Sequence, residues 1–248
     1  MRAAISRRIR LHALILTDKI GVEIQTLLYV VNGPWGRRRP SSAAPGPEGC
    51  CGSLDAVSNK FMITIVSGLP RSGTSLMMQM LVAGGMAALS DGERRADADN
   101  PRGYFEWERI KQLPRDPNCI VEAEGKVVKV ISRLLLSLPA GHDYRVLFVQ
   151  RPMPEVLASQ DEMLRRRGTY KEGADPVVIA AAFEKHLREV YAWLDATSYV
   201  QWLPVSYRDI LSQPIEAAQR IVEFLEIHLN VEAMAIQADT SLYRNRAK

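Results

Sequence analysis

The stretch Met62-Ile-Thr-Ile-Val-Ser-Gly-Leu-Pro-Arg-Ser-Gly-Thr-Ser75 decides the fold. Its opening run, Met62 to Ser67, is apolar and β-branched with little interruption, as expected of a strand buried on both faces. Gly68 to Ser75 then fits the spacing G-x-x-x-x-G-[KT]-[ST]. From Ser75 to Ala83 the chain is apolar except at Gln79 and halts at Gly84-Gly85, the pattern of a helix packed on both sides and ended by glycine. A strand, a glycine loop and a helix start in that order gather main-chain N–H groups and the positive end of a helix dipole around one point. That point is an anion cradle.

Outward from this unit the alternation continues. Val127 to Ile131, Arg145 to Gln150 and Tyr199 to Val205 read as further strands, with helices expected over 154–167, 176–195 and 214–227. This order predicts an α/β, three-layer P-loop-type fold, a central parallel sheet with helices on both faces. In such sheets ligands sit beyond the carboxyl ends of the strands. The helix at 176–195 carries Val177, Ala181, Leu187, Val190, Tyr191 and Leu194 near helical spacing and reads as a core-facing helix.

Composition narrows the functional class. The chain has 248 residues, 47% apolar and 24% charged, enough for one substantial core. Its formal charge is +4, but residues 1–61 hold nine Arg or Lys against four Asp or Glu, so that segment carries +5 and the remainder −1. A near-neutral body argues against a nucleic-acid surface and leaves room for a local pocket for a small anion. Cys50 and Cys51 are adjacent and Cys119 stands alone, so no disulfide framework and no zinc spacing is present, which fits a reducing, cytoplasmic setting. Leu11 to Leu16 is too short to span a bilayer. Residues 1–61, rich in Gly, Pro, Ser and Arg from Gly33 to Ser53, are expected to be a disordered or non-native extension, with a basic targeting peptide and an initiator at Met62 as the alternatives, and 62–248 the folded domain.

The loop departs from that of a nucleotide triphosphatase in an informative way. Thr74 stands where the phosphate-reaching lysine belongs, and the cation is Arg71, inside the loop. The strand candidates run out at Ser67, Ser132, Arg151 and Ser206, so none ends in the Asp that would hold magnesium.

Leu69-Pro-Arg-Ser-Gly-Thr-Ser-Leu76 resembles the 5′-phosphosulfate loop of the sulfotransferase family, especially its tyrosylprotein, carbohydrate and bacterial branches, where Pro-[Lys/Arg]-Ser-Gly-Thr-[Thr/Ser] is the signature. The resemblance implies a co-substrate, 3′-phosphoadenosine 5′-phosphosulfate (PAPS), with adenosine 3′,5′-bisphosphate as product and no metal. Arg71 would contact the bridging and sulfuryl oxygens, and Ser72, Gly73, Thr74 and Ser75 would supply backbone and hydroxyl donors. Arg151, just past the strand Val146 to Val149, and Ser159, eight residues on, match the family's pair for the 3′-phosphate. Val205-Ser-Tyr-Arg-Asp-Ile-Leu-Ser-Gln-Pro214 is similar to the segment whose tyrosine lies against the adenine, so Tyr207 is carried over. The lysine- and glycine-containing phosphate loop of the cytosolic branch has no counterpart, although Arg244 and Arg246 are substitutes in the right part of the chain.

Sulfuryl transfer is an in-line displacement in which fixed cations can take the place of a metal. Lys129 resembles the family's strand lysine near the sulfuryl group and joins Arg71 as the second cation. The acceptor must lose a proton. The cytosolic branch uses a histidine just after that lysine, but Ile131 stands there, so a carboxylate is expected: Asp91 first, Glu93 in reserve, Glu106 as a third candidate. His186 is expected to be structural. The acceptor is a hydroxyl or amine of a small molecule, carbohydrate or peptide. The competing readings are a P-loop kinase or NTPase with an atypical loop and an inactive nucleotide-binding protein.

Overall fold

Buried β-branched runs dictate the centre of the molecule. The computed structural model describes residues 62–92, 97, 100, 103–170 and 175–239; the expectations for residues 1–61, Glu93, Arg244 and Arg246 lie outside them. Met62 to Ser67 forms strand β1 (Met62–Gly68), with Ile63, Ile65 and Val66 wholly buried. It feeds helix α1 (Thr74–Ala83), whose Met77, Met78, Met80 and Leu81 are equally buried. Truncating such a side chain to Ala costs about 2 to 5 kcal/mol. Gly84 ends the helix by donating its N–H to Met80 O, and no larger residue fits, because a Cβ there would lie 2.8 Å from Met234 Cγ.

The remaining elements are β2 (Ala88–Leu89), two 3-10 turns (Glu108–Gln112 and Pro117–Ala123), β3 (Val127–Lys129), α2 (Ser132–Leu135), β4 (Asp143–Gln150), α3 (Met153–Arg166), α4 (Pro176–Ala196), β5 (Val200–Ser206), α5 (Tyr207–Ser212), α6 (Pro214–Leu225) and α7 (Val231–Ala235). Among the described residues the strands form one sheet in the order β2-β3-β1-β4-β5, every pairing parallel. Pro204, which cannot donate to a ladder, lies on β5, the edge strand, where it is tolerated.

Two apolar clusters sandwich this sheet. Ile63, Ile65, Val146 and Phe148 face one that includes Val190 and Leu194 of α4. Val66, Leu147 and Val149 face the other, with α1, α6 and Met234 of α7. The α/β three-layer expectation therefore holds. The chain leaves β1 for β3 on one side and then crosses to β4 on the other, so the carboxyl end of β1 is the point where the sheet's winding reverses and a cleft is expected.

Two sequence expectations need correction. The strand expected to run to Ile131 stops at Lys129, because Ser132 already opens α2. The expected core stripe of the 176–195 helix is also displaced: Val177 is 74% exposed and Ala181 is exposed, while Phe183, His186, Val190 and Leu194 are the buried positions. At 21 residues α4 spans about 31 Å, whereas β5, with its seven, spans about 23 Å. Its first two turns therefore have no sheet to cover.

Candidate functional site

At the carboxyl end of β1 the chain turns through conformations that L-residues avoid. Gly68 has φ 152° and Gly73 φ 109°. A Cβ on Gly68 would stand 2.6 Å from both Ser72 Oγ and the Val149 carbonyl, and one on Gly73 would lie 2.3 Å from Tyr207 Cδ2. Both positions therefore require glycine for two independent reasons, torsion and space. Arg71, between them, also has positive φ, 68°. Such strain costs about 1 to 3 kcal/mol per residue and persists where the surroundings over-determine it.

Those surroundings come from two other strand exits. The Arg71 carbonyl accepts from Arg151 Nη1 at 3.1 Å, and Arg71 Nε donates to Ser159 Oγ, also at 3.1 Å. Arg151 follows β4 and Ser159, 4% exposed, sits on α3. The loop expected to hold a phosphosulfate and the pair expected to hold a 3′-phosphate are thus one hydrogen-bonded cluster. The structure brings Arg71, Arg151 and Ser159 together. Tyr207, the first residue of α5, joins them: its ring packs on Gly73, and the Arg151 guanidinium lies 4.8 Å above its centroid, within cation–π range. Tyr207 is consequently only 7% exposed and forms the floor of the cluster.

Ser72 Oγ is buried with no hydrogen-bond partner, as is Ser67 Oγ. Orphaned buried hydroxyls are costly. Ser72 lines a small recess between the loop and the end of β4, shared with Arg151. An unsatisfied hydroxyl, a Cβ-free cradle and two guanidinium groups are the donor set that a polyanionic nucleotide requires.

The second half of the site forms around Lys129, the last residue of β3. Its ammonium donates to Ser75 Oγ at 3.2 Å and to the Tyr104 carbonyl at 3.1 Å, and it lies 3.7 Å from Glu106 Oε1. Both Tyr104 and Glu106 reach it from one turn, made at Phe105 with φ 52°. Lys129 and Glu106 have side chains only 12% and 21% exposed, so their pairing is less screened than a surface ion pair. Asp91 adjoins this turn through its backbone. It is exposed, its N–H donates to the Glu106 carbonyl at 3.2 Å, and its carboxylate accepts from Glu108 N–H at the start of a 3-10 turn. Of the described carboxylates expected to serve as base, Glu106 is the one drawn to Lys129.

His186 is 3% exposed and shares a 2.8 Å hydrogen bond with Ser132 Oγ through Nε2. Burial, reinforced by the Arg133 charge, lowers its pKa to about 4, so it is a neutral core imidazole at physiological pH, in keeping with the structural role expected of it. Among the described residues no cluster of three His, Cys, Asp or Glu side chains could hold a metal ion, and no helix is long and apolar enough to cross a membrane.

Sequence reasoning missed two residues that the geometry joins to the site. Glu155, with a fully buried side chain, accepts from Arg151 Nε at 3.1 Å. Arg208, from the first turn of α5, donates to the same carboxylate through Nε and Nη2 at 3.2 and 2.5 Å. Arg151 and Glu155 are four residues apart, but Arg151 precedes α3, so their pairing is made across the helix start and not along a helix face.

No protein-family model matches the chain, and no curated protein sequence matches it. Solved structures similar in fold include a sulfotransferase from Mycobacterium tuberculosis, at 17% identity and TM-score 0.48, covering 73% of each chain. The sulfotransferase domain of the Synechococcus olefin synthase is similar at 14% identity and TM-score 0.44, over 75% of this chain and 80% of that one. The sulfotransferase domain from the curacin biosynthetic pathway is similar at 15% identity and TM-score 0.41, over 69% and 76%. All three are sulfotransferases.

Proposed function

We propose that the protein is a sulfotransferase that moves the sulfuryl group of PAPS to a hydroxyl or amine of a small molecule, carbohydrate or peptide. The observation that carries this reading is the single cluster of Arg71, Ser159 and Arg151 at the end of β1, in which the loop cation is bonded to the residues beside it that suit a second phosphate. PAPS bears its phosphosulfate and its 3′-phosphate on one ribose, so the two anion sites must adjoin. A nucleoside triphosphate carries its phosphates in one chain and has no use for the second site.

The setting of Lys129 supports metal-independent transfer. In magnesium-dependent loops the hydroxyl that opens the helix meets the ion. Here the corresponding hydroxyl, Ser75 Oγ, meets an ammonium. Lys129 and Arg71 are the fixed cations that would offset the negative charge gathering on the bridging oxygen as the S–O bond breaks. The acceptor oxygen or nitrogen attacks sulfur in line and its proton passes to Glu106. Adenosine 3′,5′-bisphosphate leaves with the electron pair of the broken bond. Tyr207 contributes by seating Gly73 and Arg151 under the nucleotide, and Ser72, Thr74 and Ser75 with the loop amides complete the cradle. The buried free Cys119 suits a cytoplasmic, reducing setting.

Titration calorimetry tests the donor half directly. Adenosine 3′,5′-bisphosphate should bind without magnesium and at least about tenfold more tightly than ADP. A magnesium-dependent preference for ADP would replace this reading with that of a kinase or NTPase.

A further inference from the structure

Glu155 is an expensive residue to keep. Its side chain is fully buried, and as a device for stability alone a buried ion pair is commonly no better than a packed apolar group. What it does is join two crossovers. Oε2 accepts from Arg151 Nε, at the exit of β4, and Oε1 accepts from Arg208 Nε and Nη2, at the exit of β5. The two strand ends are paired neighbours, Gln150 opposite Ser206. Arg151 is nearly buried, its side chain 7% exposed, and is held on its other sides by the Tyr207 ring and the Arg71 carbonyl. Arg208, by contrast, keeps 49% of its side chain exposed. The Glu155 carboxylate thus bridges two guanidinium groups, and Arg71 adjoins Arg151.

We propose that Glu155 is a positioning residue that locks Arg151 and recruits Arg208 as a second guanidinium for the 3′-phosphate of the donor. The inference rests on the donor reading above and adds to it the pair that sets selectivity for a phosphorylated ribose. A dianionic phosphate is recognised far better by two oriented guanidinium forks than by one, because each supplies charge-assisted hydrogen bonds in a fixed plane. Glu155 supplies the orientation without offering the phosphate a repelling surface, since its side chain is fully buried.

The test is calorimetry on the full chain with two probes, adenosine 3′,5′-bisphosphate and adenosine 5′-monophosphate, for wild type, Arg208→Ala, Arg208→Lys and Glu155→Gln. Wild type should prefer the bisphosphate. Arg208→Ala should erase about tenfold of that preference while leaving the monophosphate affinity within about twofold, Arg208→Lys should restore part of it, and Glu155→Gln should lose at least as much as Arg208→Ala. A variant that weakens both probes equally, or neither, overturns the positioning role. Arg208 is half exposed, so its substitution keeps the test decisive even where Glu155→Gln fails to fold. A wild type indifferent to the 3′-phosphate would instead overturn the donor reading itself, and that outcome is seen before any variant is made.

Discussion

Glu106→Gln should reduce kcat for sulfuryl transfer by roughly 100- to 1,000-fold, the usual contribution of a positioned general base, while the affinity for adenosine 3′,5′-bisphosphate stays within about twofold. The carboxylate sits 3.7 Å from Lys129, and the ammonium is in turn hydrogen-bonded to Ser75 at the head of α1. On the proposed reading, a base in that position would face the sulfuryl group without being among the groups that hold the nucleotide. Gln preserves its size and one oxygen but does not accept the proton, so chemistry and binding separate. Asp91→Asn is the companion measurement. Its carboxylate accepts from the Glu108 N–H and its backbone bonds Glu106, so the substitution should lower the rate by less than about tenfold, through looser placement of the 106–108 segment. A full-activity Glu106→Gln with an inactive Asp91→Asn would transfer the base to Asp91.

Gly73→Ala should abolish measurable donor binding, a loss of more than about 100-fold. Two costs coincide there. At φ 109° an L-residue is strained by roughly 1 to 2 kcal/mol, and the new methyl would stand 2.3 Å from Tyr207 Cδ2. The ring must move, and the guanidinium of Arg151 rests on it. One methyl group therefore distorts the cradle and unseats the second anion site together. The double variant Gly73→Ala/Tyr207→Ala removes the collision but keeps the torsional strain and leaves Arg151 without its platform. It should regain thermal stability relative to Gly73→Ala without regaining affinity. Wild-type affinity in Gly73→Ala would show that the loop does not hold the nucleotide.

The parts of this site that could be read from the sequence are those built by local rules. Met62 to Ser75 declares itself because the strand, the loop and the helix start are contiguous, and each is specified by residue type at short range. Arg151 and Ser159 were reached through the family resemblance, because an arginine at a strand exit and a serine on the next helix carry little signal without the glycine loop. The base was not. Spacing from the loop put Asp91 ahead of Glu106, and the reversal at Phe105, with φ 52°, is what brings Glu106 to Lys129, while the Asp91 carboxylate accepts from the Glu108 N–H. Nothing local in Tyr-Phe-Glu announces that reversal. Arg208 was likewise hidden, because its partner Glu155 is 53 residues away and meets it only through the pairing of β4 with β5. Tyr207 was carried over from the resemblance of its segment, but its burial follows from the glycine at 73, on a different strand exit. The two-residue strand β2 is too short for any pattern to reveal.

Whether Arg71 and Lys129 carry sulfuryl transfer without a divalent ion can be read by following sulfur-35 from labelled PAPS into a mixed library of phenolic, carbohydrate, amine and tyrosyl-peptide acceptors in excess chelator. Labelled product should form at a rate unchanged by chelation and lowered at least about 100-fold in Arg71→Ala. Transfer that stops on chelation and returns with magnesium, or that survives intact in Arg71→Ala, would contradict that role for the two cations.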